Sequence, residues 1–152
     1  MNITVAPPTA ADRDQWETLY YGYAEFYGMP MDKAILDNNW GWIFDENFPF
    51  YALLAKTDDG KAVGLMHFRE MPSPLRGRMV GFLDDLFIPP ELRGQGIVEA
   101  LFKGLDQACA EKNLPVIRWI TAENNYRGRA VYDRIGEKTH WQTYQMTIGS
   151  QS

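Results

Sequence analysis

The stretch FLDDLFIPPELRGQGIVEALFKGL, residues 82–105, runs from an apolar strand-like segment through two prolines into a glycine-bearing turn and then into helical periodicity. Arg93, Gly94, Gln95 and Gly96 fall where that helix must begin. The first amides of a helix have no intrahelical partner, and the helix dipole favours negative charge beside them. Glycine, lacking a Cβ, lets a ligand approach the backbone closely. Residues 93–98, which include Ile97 and Val98, therefore describe a cradle for a phosphate or diphosphate. Two familiar phosphate loops are excluded. No G-x-x-x-x-G-K-[ST] occurs in the chain, and the G-x-G-x-x-G of dinucleotide folds would need a glycine where Glu99 stands. An Arg-Gly helix start that serves only the fold is the competing reading.

Such a turn needs rigid neighbours. NITVAPP predicts a short strand stopped by Pro7 and Pro8, and Thr9 with Asp12 resembles a helix-capping pair before a helix over residues 10–27. Trp16, Leu19, Tyr20, Tyr23 and Phe26 recur three or four apart along that helix, and Gly28 and Pro30 end it. A second short helix is predicted over residues 32–39, followed by an irregular tract NNWGWIFDENFPF. FYALLAK and KAVGLMHFRE flank TDDG, a hairpin turn signal; MPSPLRG predicts a loop and RMVGFLDDLFI another strand. Ile97, Val98, Leu101, Phe102, Leu105, Ala108 and Cys109 mark a helix to about residue 112. PVIRWITA then reads as a strand, NYRGRAVYDRI as a short helix and THWQTYQMTI as a final strand. Hairpins first and helical crossovers later predict a single α/β domain over residues 1–152, with a mixed, mostly antiparallel sheet flanked by helices.

Composition narrows the chemistry. A formal charge of −5 argues against a general nucleic-acid binder. Cys109 is the sole cysteine, so neither an intrachain disulfide nor a cysteine zinc site is expected. His67 and His140, the two histidines, lie far apart and are read as strand residues; no metal is expected. No run approaches the ~18 apolar residues of a membrane span, and the N-terminus lacks a signal-peptide pattern. A cytoplasmic protein without membrane or nucleic-acid partners is the expectation.

Two motifs carry a family resemblance. DLFIPPELRGQGIVEAL resembles the acyl-coenzyme A motif of the GNAT superfamily of N-acetyltransferases, [QR]-x-x-G-x-[GA] after a strand. Arg93 and Gly96 occupy its first two specified positions, whereas Val98 stands where Gly or Ala is usual. NNYRGRAVYDRIG resembles the family's later N-x-x-A-x-x-[LV]-Y-x-x-x-G pattern through Asn125, Val131, Tyr132 and Gly136, with Gly128 at the usual Ala position. Glu137 departs from the Phe that often follows. The resemblance is clearest over residues 81–146 and is most similar to the branch holding polyamine and histone-type acetyltransferases.

That resemblance implies the acyl-CoA N-acyltransferase fold and transfer of an acetyl group from acetyl-CoA to an amine in a ternary complex. An alkylamine is mostly protonated at neutral pH, so a base must take a proton. Asp84 stands where related diamine acetyltransferases often carry Glu, and it is the first candidate, both as base and as acceptor contact; Asp85 is the second. In a regular strand the two would face opposite sides, but the family often carries a bulge here. Tyr132 is the candidate acid for the departing thiolate, since a tyrosine arrives protonated. The backbone at Leu86, Phe87 and Ile88 is expected to bind the pantetheine arm and acetyl carbonyl, between splayed strands containing Leu86 and Ile117. Asn125 is expected on the pantetheine arm or capping its helix. Glu25, Tyr27 and Trp42, with Trp40, Asp45 and Glu46 nearby, are candidates to hold a cationic amine. Cys109 lies on an apolar helix stripe and reads as core. A small-molecule primary amine (a polyamine, amino acid or aminated metabolite) is the leading acceptor, and a homodimer is a possible assembly. A protein lysine or N-terminal acetyltransferase, and a CoA-binding sensor without turnover, remain as alternatives.

Overall fold

A computed structural model of the chain describes residues 1–149, which pack as two compact units that divide after Ile120. In the first unit, β1 (Thr4–Ala6) leads into a short 3-10 turn and α1 (Arg13–Tyr27). The Asp12 carboxylate accepts a hydrogen bond from the Thr9 amide at 2.8 Å, which closes the capping pair expected there. Gly28, in the left-handed region at φ 66°, ends α1 as the last amides turn back onto Ala24 and Glu25. α2 (Lys33–Phe44) starts at Asp32, whose side chain accepts from the Ile35 amide at 2.9 Å.

α2 is longer than the sequence predicts, because residues 40–44 are helical rather than irregular. Asn39, which reads as a helix breaker, instead donates back to the Ile35 carbonyl at 2.9 Å. Trp40 then packs on Trp16 of α1, ring centroids 4.9 Å apart, and tertiary packing overrides the weak local propensity.

The sheet runs β1-β2-β3-β4-β5, with β2 (Phe50–Lys56), β3 (Ala62–Ser73), β4 (Arg78–Phe87) and β5 (Ile117–Arg118). Neighbours are antiparallel except β4 and β5, which are parallel, giving the mixed, mostly antiparallel sheet expected. β3 continues through Met71 and Pro72, where a loop was predicted. Pairing with β2 stops at Phe50 opposite Arg69, so Pro72 lies on a free edge where its missing N–H leaves no broken ladder on that side. β5 is much shorter than PVIRWITA suggests: the β4–β5 ladder is confined to Gly81 opposite Ile117 and Phe82 opposite Arg118. β4 itself continues to Phe87, so its second half leaves β5 behind.

α1 and α2 cover one face of the sheet through Trp16, Leu19, Tyr20, Leu36, Leu54, Leu65 and Phe87. α3 (Ile97–Glu111) covers the other, close enough that a Cβ on Gly64 would lie 3.0 Å from the side chains of Ile97 and Leu101. Cys109 is buried on α3, as its place on the apolar stripe implies.

In the second unit, α4 (Tyr126–Ile135) is capped by Asn125, whose Oδ1 accepts from the Gly128 amide at 3.2 Å and whose Nδ2 donates to Thr121 Oγ1 at 2.9 Å. The final strand predicted over THWQTYQMTI does not form; residues 139–148 have no ladder partner among the described residues, and alternation alone cannot make a strand without one. Leu65 is fully buried between α1 and the sheet. Leu65→Ala is expected to cost about 2–5 kcal/mol, seen in urea titration as a lower midpoint at unchanged slope.

Candidate active site

Two successive carboxylates on β4 define the site. In a regular strand Asp84 and Asp85 would point to opposite faces. The β3–β4 register, however, pairs Asp85 with His67 and Leu83 with Phe68, leaving Asp84 as one extra residue on β4. That bulge turns both carboxylates to the face covered by α1 and α2. The partners prove it: Arg69 Nη2 lies 3.0 Å from Asp84 Oδ1 and His67 Nδ1 lies 2.9 Å from Asp85 Oδ2, and Arg69 and His67 are two apart on β3.

Their surroundings then separate them. Asp85 Oδ2 accepts from His67 and from the Tyr20 hydroxyl, each at 2.9 Å, and the Tyr23 hydroxyl adds a third donor to the carboxylate. Burial would raise the Asp85 pKa, but hydrogen bonds from His67, Tyr23 and Tyr20, with the His67 interaction, outweigh it and leave it below the ordinary carboxylate value. The proton of His67 is set by a neighbour. The Trp16 indole N–H, which can only donate, reaches His67 Nε2 at 2.9 Å, so Nε2 accepts and Nδ1 carries the proton given to Asp85. Tyr20 and Tyr23 are both pushed well above their ordinary pKa, by burial first and then by Asp85, so they remain hydroxyl donors.

Asp84 is served less well. Its Oδ2 is buried and has no hydrogen-bond partner among the described residues. Burial raises its pKa, Arg69 offsets part of the rise, and the charge of Asp85 adds to it. Both carboxylates line a pocket of about 510 Å³ with Arg69, Trp42, Phe48 and Phe50, a size within the ~300–1,000 Å³ of small-ligand sites. Of the residues nominated for the acceptor, the pocket gathers Asp84 and Trp42. Glu25 and Tyr27 lie on the exposed end of α1, outside its lining, with Tyr27 stacked near Tyr23.

The glycine turn lies past the end of β4. Gly94 and Gly96 have φ of 80° and 83°, a region costly for any other residue, and Gly96 caps α3. The first i→i−4 bond of α3 runs from the Ala100 amide to the Gly96 carbonyl, so the amides of Ile97 and Val98 precede the helical ladder. Arg93 is turned back: its Nε donates to the Ile88 carbonyl at 3.1 Å and its guanidinium lies 4.5 Å from the Phe26 ring centroid. The turn thus offers backbone amides without a side-chain obstruction, which fits a diphosphate. Leu86 and Phe87 occupy the part of β4 beyond β5, and Ile88 follows. Tyr132 is half-buried on α4 of the second unit, seven residues after its Asn125 cap in the order of the later motif. Among the described residues no cluster of three His, Cys, Asp or Glu is placed to hold a metal.

Residues 12–136 match the model of the acetyltransferase (GNAT) family. The chain belongs to that family. This GNAT protein is an acetyl-CoA-dependent acetyltransferase with the acyl-CoA N-acyltransferase fold. It is 22% identical over 138 residues to a D-amino-acid N-acetyltransferase of Saccharomyces cerevisiae, covering 90% of this chain and 86% of that protein. It is 33% identical over 78 residues to a thialysine N-epsilon-acetyltransferase of Bos taurus, covering 48% of this chain and 41% of that one. Among solved structures it resembles AAC(6')-Iy in complex with a CoA-linked bisubstrate analog, at a TM-score of 0.80, 15% identity and coverage of 98% and 99% of the two chains. His67 and Trp16, which hold Asp85, escaped the sequence reading; the one signal was a histidine inside the apolar run AVGLMHF.

Asp84 and Asp85 should respond oppositely to neutralisation. A carboxylate with a raised folded pKa contributes stability below its ordinary pKa and loses it as pH rises through the folded value, so at pH 7 the Asp84 charge is a net burden on the fold. Asp85, with a lowered pKa, contributes stability above its ordinary value, lost as pH falls through the folded one. Thermal melts at pH 7 are expected to show a higher Tm for Asp84→Asn and a lower one for Asp85→Asn, the latter by the equivalent of about 1–3 kcal/mol. Equal losses for both would refute the division.

Proposed function

We propose that this acetyltransferase moves an acetyl group from acetyl-CoA directly to the primary amine of a small molecule, and that Asp84 accepts the amine's proton. The observation that carries the reading is the buried, unpartnered Oδ2 of Asp84 in a pocket lined by rings and one guanidinium. A carboxylate whose proton affinity is raised by burial is matched to base chemistry nearer neutral pH. Asp85 is unsuited, since its lone pairs already receive His67, Tyr20 and Tyr23. The names of the relatives, a D-amino-acid and a thialysine acetyltransferase, support small amines as acceptors.

Acetyl-CoA, when bound, supplies an acyl group activated as a thioester. On this reading the amides of residues 93–98 bind its diphosphate and those of Leu86, Phe87 and Ile88 bind the pantetheine arm and orient the acetyl carbonyl. We read the two units as parts of one catalytic domain, in which the Tyr132 hydroxyl gives its proton to the departing thiolate and Asn125 fixes the start of α4. Cys109 takes no part as a nucleophile: burial raises its thiol pKa, away from the reactive thiolate. Transfer in a ternary complex follows.

Thiol release from acetyl-CoA with a panel of small amines tests the function, and calorimetry with CoA tests the cradle. Asp84→Asn is expected to lower kcat by about 10²–10⁴-fold at little change in CoA affinity. The wild-type rate should fall with decreasing pH through an apparent pKa above the ordinary carboxylate value. Tyr132→Phe should lower kcat with CoA affinity intact, and unchanged turnover would remove Tyr132 from the reaction. Turnover of peptide amines alone would assign a protein acceptor; CoA binding without any turnover would leave a binding module.

A further inference from the structure

The pocket over Asp84 contains one group that a site for a simple amine or polyamine would be better without. Arg69 lies in its lining, its Nη2 3.0 Å from Asp84 Oδ1, with its side chain about half exposed at 49%. A cationic acceptor meets repulsion from that charge. Its position is not accidental: β3 pairs Arg69 with Phe82 on one side and Phe50 on the other, and the guanidinium rests 5.0 Å from the Phe82 ring centroid. An arginine held in this way keeps a planar fork of donors suited to a carboxylate.

The charges on this face balance accordingly. Glu70 also borders the pocket, but its carboxylate accepts from the Tyr51 hydroxyl at 2.8 Å, and Tyr51 packs near Phe68 and under Lys112, which follows α3 on the opposite face. Asp85 is committed to His67 and Tyr20. What remains for a ligand is the Asp84 carboxylate, partly exposed in the pocket wall with one oxygen unpartnered, and the Arg69 guanidinium beside it. Only an acceptor with its amine and its carboxylate on neighbouring atoms satisfies both at once. The third wall is apolar: Trp42 stacks on Phe48 with centroids 5.4 Å apart and planes 19° from parallel, and meets Phe50 edge-on at 5.7 Å. Trp42 and Phe48 are each 40% exposed, apolar surface that a side chain of the same character would cover.

Resting on the acetyl-transfer reading above, we propose that the acceptor is a free α-amino acid with an apolar or aromatic side chain. Its ammonium sits on Asp84, its carboxylate on Arg69 and its side chain against Trp42, Phe48 and Phe50. In the reaction the ammonium gives one proton to Asp84; the amine then forms the amide bond as the thioester C–S bond breaks, the sulfur takes the Tyr132 proton and leaves as the thiol of CoA, and the second nitrogen proton is released and restores Tyr132. Three points of attachment also make the site enantioselective.

The test compares both enantiomers of phenylalanine with phenylalaninamide, phenethylamine and spermidine as acceptors for the full-length protein, reading thiol release. One enantiomer of phenylalanine is expected to exceed each of the other three by at least about 10-fold in kcat/KM, as befits a lost charge-assisted contact. Arg69→Gln should bring the phenylalanine-to-phenethylamine ratio close to one; a ratio cancels any effect of the substitution on Asp84 or on folding. Trp42→Ala should raise KM for phenylalanine more than for alanine. Phenethylamine or spermidine used as well as phenylalanine, or a ratio that survives Arg69→Gln, overturns this proposal and leaves acetyl transfer standing. No thiol release with any acceptor, while calorimetry detects CoA binding, overturns the acetyl-transfer reading and this one with it.

Discussion

One extra residue in β4 organises the site. A strand alternates its side chains, so adjacent aspartates in an unbroken ladder would be divided between the two sides of the sheet. The bulge at Asp84 defeats that alternation and puts both carboxylates on the α1/α2 face, one opposite His67 and one beside Arg69. Two like charges so close are tolerable only if the protein treats them differently. It does so through β3, which presents an imidazole to one and a guanidinium to the other.

The imidazole side is closed. Trp16 fixes which nitrogen of His67 carries the proton, and His67, Tyr20 and Tyr23 together saturate Asp85. A fully paired buried charge of this kind is rigid and chemically quiet. Asp84 is open on one oxygen, and its neighbour's fixed negative charge favours proton uptake there. The cost of leaving a buried acceptor unpaired falls on the fold, as expected where stability is given up for function.

Past β5 the end of β4 and the glycine turn offer backbone rather than side chains. Where β4 outruns β5, strand edge is left without a ladder partner among the described residues, and past its end Gly94 and Gly96 hold positive φ so that α3 can begin with its leading amides outside the helical ladder. Arg93, the charged residue of the motif, is spent on the Ile88 carbonyl and the Phe26 ring. It shapes the turn instead of reaching outward.

Much of this was legible in the residues themselves. The periodicities of α1 and α3, the Asp59-Gly60 hairpin, the Gly94–Gly96 turn and the Asn125 cap are local signals, each set by neighbours a few residues away, and they appear where the sequence places them. The parts that Trp16, His67, Arg69 and Asp85 play at the site carry no such signal, because what each does there depends on partners brought from other elements. The helical continuation through Trp40 and the persistence of β3 through Pro72 were hidden for the same reason: one waits on Trp16 and the other on the end of β2. Sequence by itself determined the family motifs and the order of the elements as far as α4. Only the tertiary structure decided which aspartate is held and which is open, since a bulge in β4 and the register of β3 are properties of paired strands, not of either strand alone.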